Sequence, residues 1–164
     1  MKIMLIILIL GSWLQCQSVD DGWKGIKPLH TTVTEVQKLL GEPEIDKFGY
    51  YRYKSDEAFV LINFSSEPCE SSDYGRGKFN VPEGTVLDYF VSLQSRTPIA
   101  NLKFNRNDYF RDLSGDVRNS VLYVNHDRSI IISASKQERD ESAGRIYYYP
   151  RKVDVEKFKC AEKD

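Results

Sequence analysis

The side chains able to do chemistry are few, and their spacing argues against the commoner catalytic plans. The chain has two histidines, His30 and His126. His30 stands just before a helical pattern, and His126 falls in a predicted hairpin turn. Neither belongs to a His-Glu-x-x-His or other metal-spaced motif. His126 and Asp127 are sequence neighbours, whose side chains rarely face each other usefully. Ser129 follows Arg128 without the glycine-flanked elbow of a hydrolase nucleophile. Gly75-Arg76-Gly77-Lys78 is glycine-rich and basic, but it lacks the spacing and the strand-to-helix setting of a phosphate-binding loop. Asp20-Asp21 and Glu138, Asp140 and Glu141 read as solvated carboxylates. No catalytic residue, metal site or cofactor is expected. The alternative to a non-enzymatic reading is a hydrolase of glycans or peptides whose carboxylates meet only in space, which leaves no mark of spacing in the sequence.

The three cysteines bear on the compartment. Lys2 precedes the apolar run Ile3 to Leu10, a charged start and a hydrophobic stretch too short to span a bilayer. Cys16-Gln17-Ser18 then places small side chains at both positions a signal peptidase inspects. Residues 1–18 read as a signal peptide cleaved after Ser18, with 19–164 as one secreted or periplasmic domain. The runner-up is a lipoprotein lipidated at Cys16, although Trp13-Leu14-Gln15 is bulkier than the usual lipobox. Only then would the protein meet a membrane. Cleavage leaves Cys69 and Cys160, and an even pair in an oxidising compartment reads as one disulfide. There is no Cys-x-x-Cys pair, which argues against a thiol oxidoreductase. The formal net charge of −1 gives no global reason to expect nucleic acid as a partner.

The elements that must position these groups begin with a well-specified helix. Thr32 with Glu35 is a capping-box pair, and Val33, Val36, Leu39 and Leu40 share one face. Gly41 and Pro43 end it. Such a short helix is not stable alone, so its apolar stripe is expected to be buried. Upstream, Trp23 sits between glycines. It reads as an arm pinned on the core, with a ligand-facing role as the alternative.

The Thr cap, the Val and Leu39-Leu40-Gly41-Glu42-Pro43, followed by an aromatic hairpin, resemble the first helix of the SmpA/OmlA small-lipoprotein family, the BamE-like fold. The unit is also similar to the helical unit of secreted β-lactamase-inhibitor proteins. The layout of Gly22-Trp23-Lys24-Gly25-Ile26, Pro68-Cys69 and Cys160 resembles bacterial secreted proteins to which no activity is assigned. These resemblances imply a helix-plus-sheet unit in an exported protein.

After the helix, residues 49–53 and Ala58 to Phe64 read as strands, the second apolar enough to be covered on both faces. Ser65 to Pro82 is a long loop. Residues 85–93 alternate as a half-buried strand. Thr97-Pro98 reads as the cap and first position of a short helix. Residues 120–124 and 129–134 form a hairpin, residues 136–143 a charged turn, and residues 144–150 a strand. The expected fold class is α+β, an antiparallel sheet of about six strands with one main N-terminal helix packed on it. Two α-β-β-β units are the alternative arrangement.

The expected activity is binding to a protein partner in the envelope or outside the cell. Two surfaces are candidates. One is the loop carrying Tyr74, Arg76, Lys78 and Phe79, held by Cys69 if the disulfide forms. The other is the tyrosine strands, where Tyr50 with Arg52, or Tyr147 with Tyr149, could be exposed while their neighbours are buried. Tyr and Arg are enriched at binding hot spots. Cross-strand ring packing is the competing reading.

Overall fold

A computed structural model describes residues 18–45, 50–71, 77–113, 119–137 and 140–161. The chain runs as α1 (Val33–Leu40), β1 (Glu44–Ile45), β2 (Tyr51–Lys54), β3 (Ala58–Phe64), β4 (Glu70–Ser71), β5 (Lys78–Phe79), β6 (Val86–Pro98), β7 (Phe110–Asp112), β8 (Ser120–Asn125), β9 (Ile130–Gln137), β10 (Asp140–Tyr148) and α2 (Lys152–Phe158). Eight strands make one sheet in the order β1-β2-β3-β6-β10-β9-β8-β7, and β4 and β5 pair as a separate ribbon. All pairings are antiparallel.

This corrects the expected fold in three ways. The sheet has eight strands, not six. It is continuous, so the chain is not two α-β-β-β units. The N-terminal helix is also not the main organiser. It is eight residues long, and a second helix of seven lies at the other end of the chain. The capping box at Thr32 and Glu35 does form. Only Val36 of α1 is fully buried, however, and Leu39 is 49% exposed.

The continuity comes from β6. It runs 13 residues, through the Thr97-Pro98 pair that reads as a helix cap, and only then turns into one 3-10 turn at Ile99–Asn101. β6 pairs with β3 on one side and β10 on the other. Its far end pairs with Ser142 and Ala143, so part of the charged stretch expected to be a turn is strand.

One face of this sheet is covered. Val60, Ile62, Tyr89, Val91, Ile132 and Ile146 meet Val19, Ile26, Val36, Ile99 and Tyr109 in a single buried cluster. These covering residues come from the N-terminal arm, α1 and the segment after β6. A second, smaller cluster joins Leu29, Phe79, Val81 and Leu87 to Val155 and Phe158 of α2. The other face is open. Along β3, buried Ala58, Val60 and Ile62 alternate with half-buried Phe59 and Leu61. The expectation that β3 is covered on both faces is therefore corrected.

The arm is held by one phenol. Tyr89 Oη donates to the Ile26 carbonyl at 2.8 Å and accepts from the Trp23 amide at 3.0 Å. Its ring stacks on Tyr148 with centroids 4.6 Å apart. Burial pushes the pKa of Tyr89 well up, and the hydroxyl stays protonated as a donor. Cys69 and Cys160 are bridged, with Cα atoms 5.7 Å apart. The bond lies where the ribbon meets the chain's end. Cys69 N–H donates to Phe79 O at 2.8 Å, and Cys160 N–H to Lys78 O at 3.0 Å. Among the described residues no helix is long and apolar enough to cross a membrane.

Candidate interaction surface

Antiparallel pairing places residues of neighbouring strands side by side on one face. On the open face this builds a continuous row. Leu61 pairs with Phe90, Phe90 with Tyr147, Tyr147 with Ile131, Ile131 with Val124, and Val124 with Phe110. The row crosses six of the eight strands without a charge. Its first five members are half-buried, and Phe110, on the edge strand, is 64% exposed. Phe90 and Tyr147 rings lie 5.6 Å apart, and Phe59 approaches Phe90 at 6.3 Å. Arg52 pairs with Leu61 at the β2 end, and its guanidinium lies 5.2 Å from the centre of Phe59. Exposed Arg145 follows Gly144, at the irregularity in β10. The result is an apolar band with cationic flanks.

Some residues singled out from the sequence lie here and others do not. Arg52 and Tyr147 belong to the band, both half-buried. Tyr50 is half-buried just before β2. Tyr149 shares the side of Tyr147, their rings parallel at 6.4 Å, but it is only 7% exposed, which corrects its reading as a contact group. Phe79 is 1% exposed and belongs to the α2 cluster, so it is structural. Lys78 is exposed on the ribbon. Tyr74 and Arg76 lie outside the described residues. Phe90, Leu61, Ile131 and Phe110 escape sequence reading as surface groups. Each sits in a strand whose two faces are both apolar, and only the placement of the covering layer says which is open.

A polar cleft of about 290 Å³ lies between the arm, the β8–β9 turn and α2. Its charges are largely tied to one another. Asp154 is buried and accepts from Arg151 Nε at 2.7 Å, while its other oxygen lies 2.9 Å from His30 Nε2. Burial raises the Asp154 pKa, but the Arg151 and His30 hydrogen bonds outweigh it and hold the carboxyl below its ordinary value. Asp20 accepts from the Tyr109 hydroxyl at 2.7 Å, and its carbonyl from Arg128 at 3.3 Å. At the far edge Glu141 bonds Arg111 and Tyr123, and the Arg111 hydrogen bond holds its pKa down. A general acid at neutral pH needs a raised pKa, the opposite of both carboxylates. Among the described residues no group of three His, Cys, Asp or Glu could hold a metal ion.

The Asp154 network makes a pH prediction. A carboxyl whose folded pKa is depressed stabilises the fold above its unfolded pKa, and that contribution is lost as pH falls through the folded value. Asp154→Asn is therefore expected to destabilise by about 1–3 kcal/mol near neutral pH, the range for hydrogen bonds to charged groups. The gap to wild type should narrow below about pH 4, the ordinary carboxylate range. Urea unfolding across pH checks this, and a gap constant with pH would show that Asp154 does not carry the linkage.

Comparisons with protein-family models, with curated proteins and with solved structures find no match to this chain.

Proposed function

We propose that this chain is an exported, non-enzymatic binding domain that docks a protein partner on the open face of its sheet. The observation that carries the reading is the uncharged row from Leu61 to Phe110 on a face that nothing in the described chain covers. A contiguous exposed apolar band of this kind marks an interaction site more often than chance. Tyr147 and Arg52 at the centre and end are the residue types that anchor interfaces. Arg145 and Arg52 suit a partner whose apolar side chains are flanked by carboxylates.

Export is supported by the disulfide, which persists in oxidising compartments and is rare in the cytosol. The leader-like residues 1–18 supply the route, with a soluble product starting at Val19 or a lipid-tethered one starting at Cys16. Intact mass of the natively exported protein separates the two.

The test pairs Phe90→Ser with Tyr147→Ser. Both rings are half-buried, so the double variant is expected to lose about 1–3 kcal/mol of stability and remain folded. Affinity capture from envelope and culture-medium extracts should recover a specific protein with wild type, lose it with this variant, and keep it with Lys78→Ala. Equal recovery by wild type and the folded double variant would remove the open face from the mechanism.

A further inference from the structure

The arm leaves a small pocket of about 170 Å³ beside Trp23. Trp23, Leu39, Leu40 and Val60 form its apolar walls, and Tyr53 and Lys24 are among its polar lining. Tyr53 is 2% exposed, and its hydroxyl is buried with no hydrogen-bond partner among the described residues. The hydroxyls of Tyr89, Tyr109 and Tyr123, by contrast, all donate to protein acceptors. A buried hydroxyl left unpaired is costly and marks a place for a partner from outside the chain. Burial, with the neighbouring Tyr51 and Glu42, pushes the Tyr53 pKa up to about 12, so the phenol keeps its proton and can donate.

The cation is placed with some backbone strain. Lys24 sits at φ +52 between Gly22 and Gly25, both also at positive φ. Its ammonium lies 4.8 Å from the centre of the Trp23 ring. Lys54, the other cation of the lining, is paired with Glu44 at 3.0 Å. No carboxylate is among the described residues that line the pocket. Leu39 is largely exposed at one wall, an apolar side chain that the fold itself does not cover. Left-handed strain at a non-glycine residue beside a cavity is a recurring property of ligand sites.

We propose that the Trp23 pocket binds a small carboxylate with an aromatic or aliphatic body. The body packs against Trp23, Leu39, Leu40 and Val60, one carboxylate oxygen accepts from the Tyr53 hydroxyl, and Lys24 faces the negative charge. Glu42 lies outside the lining but acts on Tyr53, which keeps the affinity modest.

The test is calorimetric titration of the full chain with 3-phenylpropanoate and with its neutral counterpart 3-phenylpropanol. The acid should bind saturably at one site, about tenfold more tightly than the alcohol, the worth of one charge-assisted contact. Tyr53→Phe should weaken the acid by about tenfold, one hydrogen bond's worth. Its thermal midpoint should equal or exceed that of wild type, because the change removes an unpaired hydroxyl and no internal bond. Lys24→Gln should erase the preference for acid over alcohol. A flat titration at millimolar acid, equal affinity of wild type and Tyr53→Phe, or a lowered midpoint for Tyr53→Phe would each overturn the assignment.

Discussion

Gly22→Ala is expected to lower the unfolding free energy by about 3 kcal/mol or more, the sum of backbone strain and a backbone clash. Gly22 has φ +82 and ψ 152, a region open essentially to glycine alone. A Cβ there would stand 2.2 Å from the Ile26 carbonyl oxygen and 3.3 Å from the Tyr89 hydroxyl. The backbone oxygen cannot move away freely, because it accepts the Tyr89 hydrogen bond. The side chain at position 22 would therefore have to break the clamp that holds the arm. Tyr89→Phe removes the same clamp differently, leaving the Trp23 amide and the Ile26 carbonyl without it, at about 1–3 kcal/mol. The two changes share one target, so the double variant should lose clearly less than the sum. Denaturant unfolding of the four proteins gives the coupling, and faster exchange of the Trp23 amide in both single variants would localise it. Additive losses would show that the arm is held elsewhere.

Loss of the disulfide should cost slightly more. The bridge spans 91 residues of sequence. The chain-entropy model assigns a loop of that length about 4–5 kcal/mol. Cys69→Ser and Cys160→Ser should therefore destabilise to a similar degree, and the double change should be little worse than either. Reductant should lower the wild-type unfolding midpoint toward those of the variants and leave the variants unchanged. The folded ends do not separate easily even so, because Asn80 N–H donates to Phe158 O at 2.7 Å and Phe79 bridges Lys159. The fold is thus expected to survive reduction at low temperature in a less stable form. Strongly additive single losses would argue that each cysteine acts for itself.

What was legible in the sequence was local. The capping box needs only Thr32 and Glu35 at a spacing of three, and it forms as spaced. The β8–β9 hairpin follows from two apolar runs and the turn Asn125-His126-Asp127-Arg128, where the Asn125 side chain accepts from the Arg128 amide at 2.9 Å. The cysteine pair could be read by counting once a leader was set aside. Strand ends were less legible. Thr97-Pro98 carries the local marks of a helix start, yet hydrogen bonding to Ser142 and Ala143 keeps it extended. Local preference there is weak, and a neighbouring strand outweighs it.

The candidate surfaces depended on tertiary structure for a physical reason. Leu61, Phe90 and Ile131 are as apolar as the core residues beside them, and composition cannot say which face of a two-sided apolar strand meets water. That is decided when the arm, α1 and the segment after β6 settle on the opposite face. Phe79, placed by sequence in an exposed loop, is drawn into the α2 cluster by the same packing. His30 and Asp154 meet across 124 residues, and Trp23 and Tyr89 across 66, with no spacing rule to announce either pair. The sequence by itself determined a capped helix, the strand-rich pattern and the two cysteines available to pair. Only the tertiary structure decided that one long strand joins everything into a single sheet, which face stays open, and which buried hydroxyl is left without a partner.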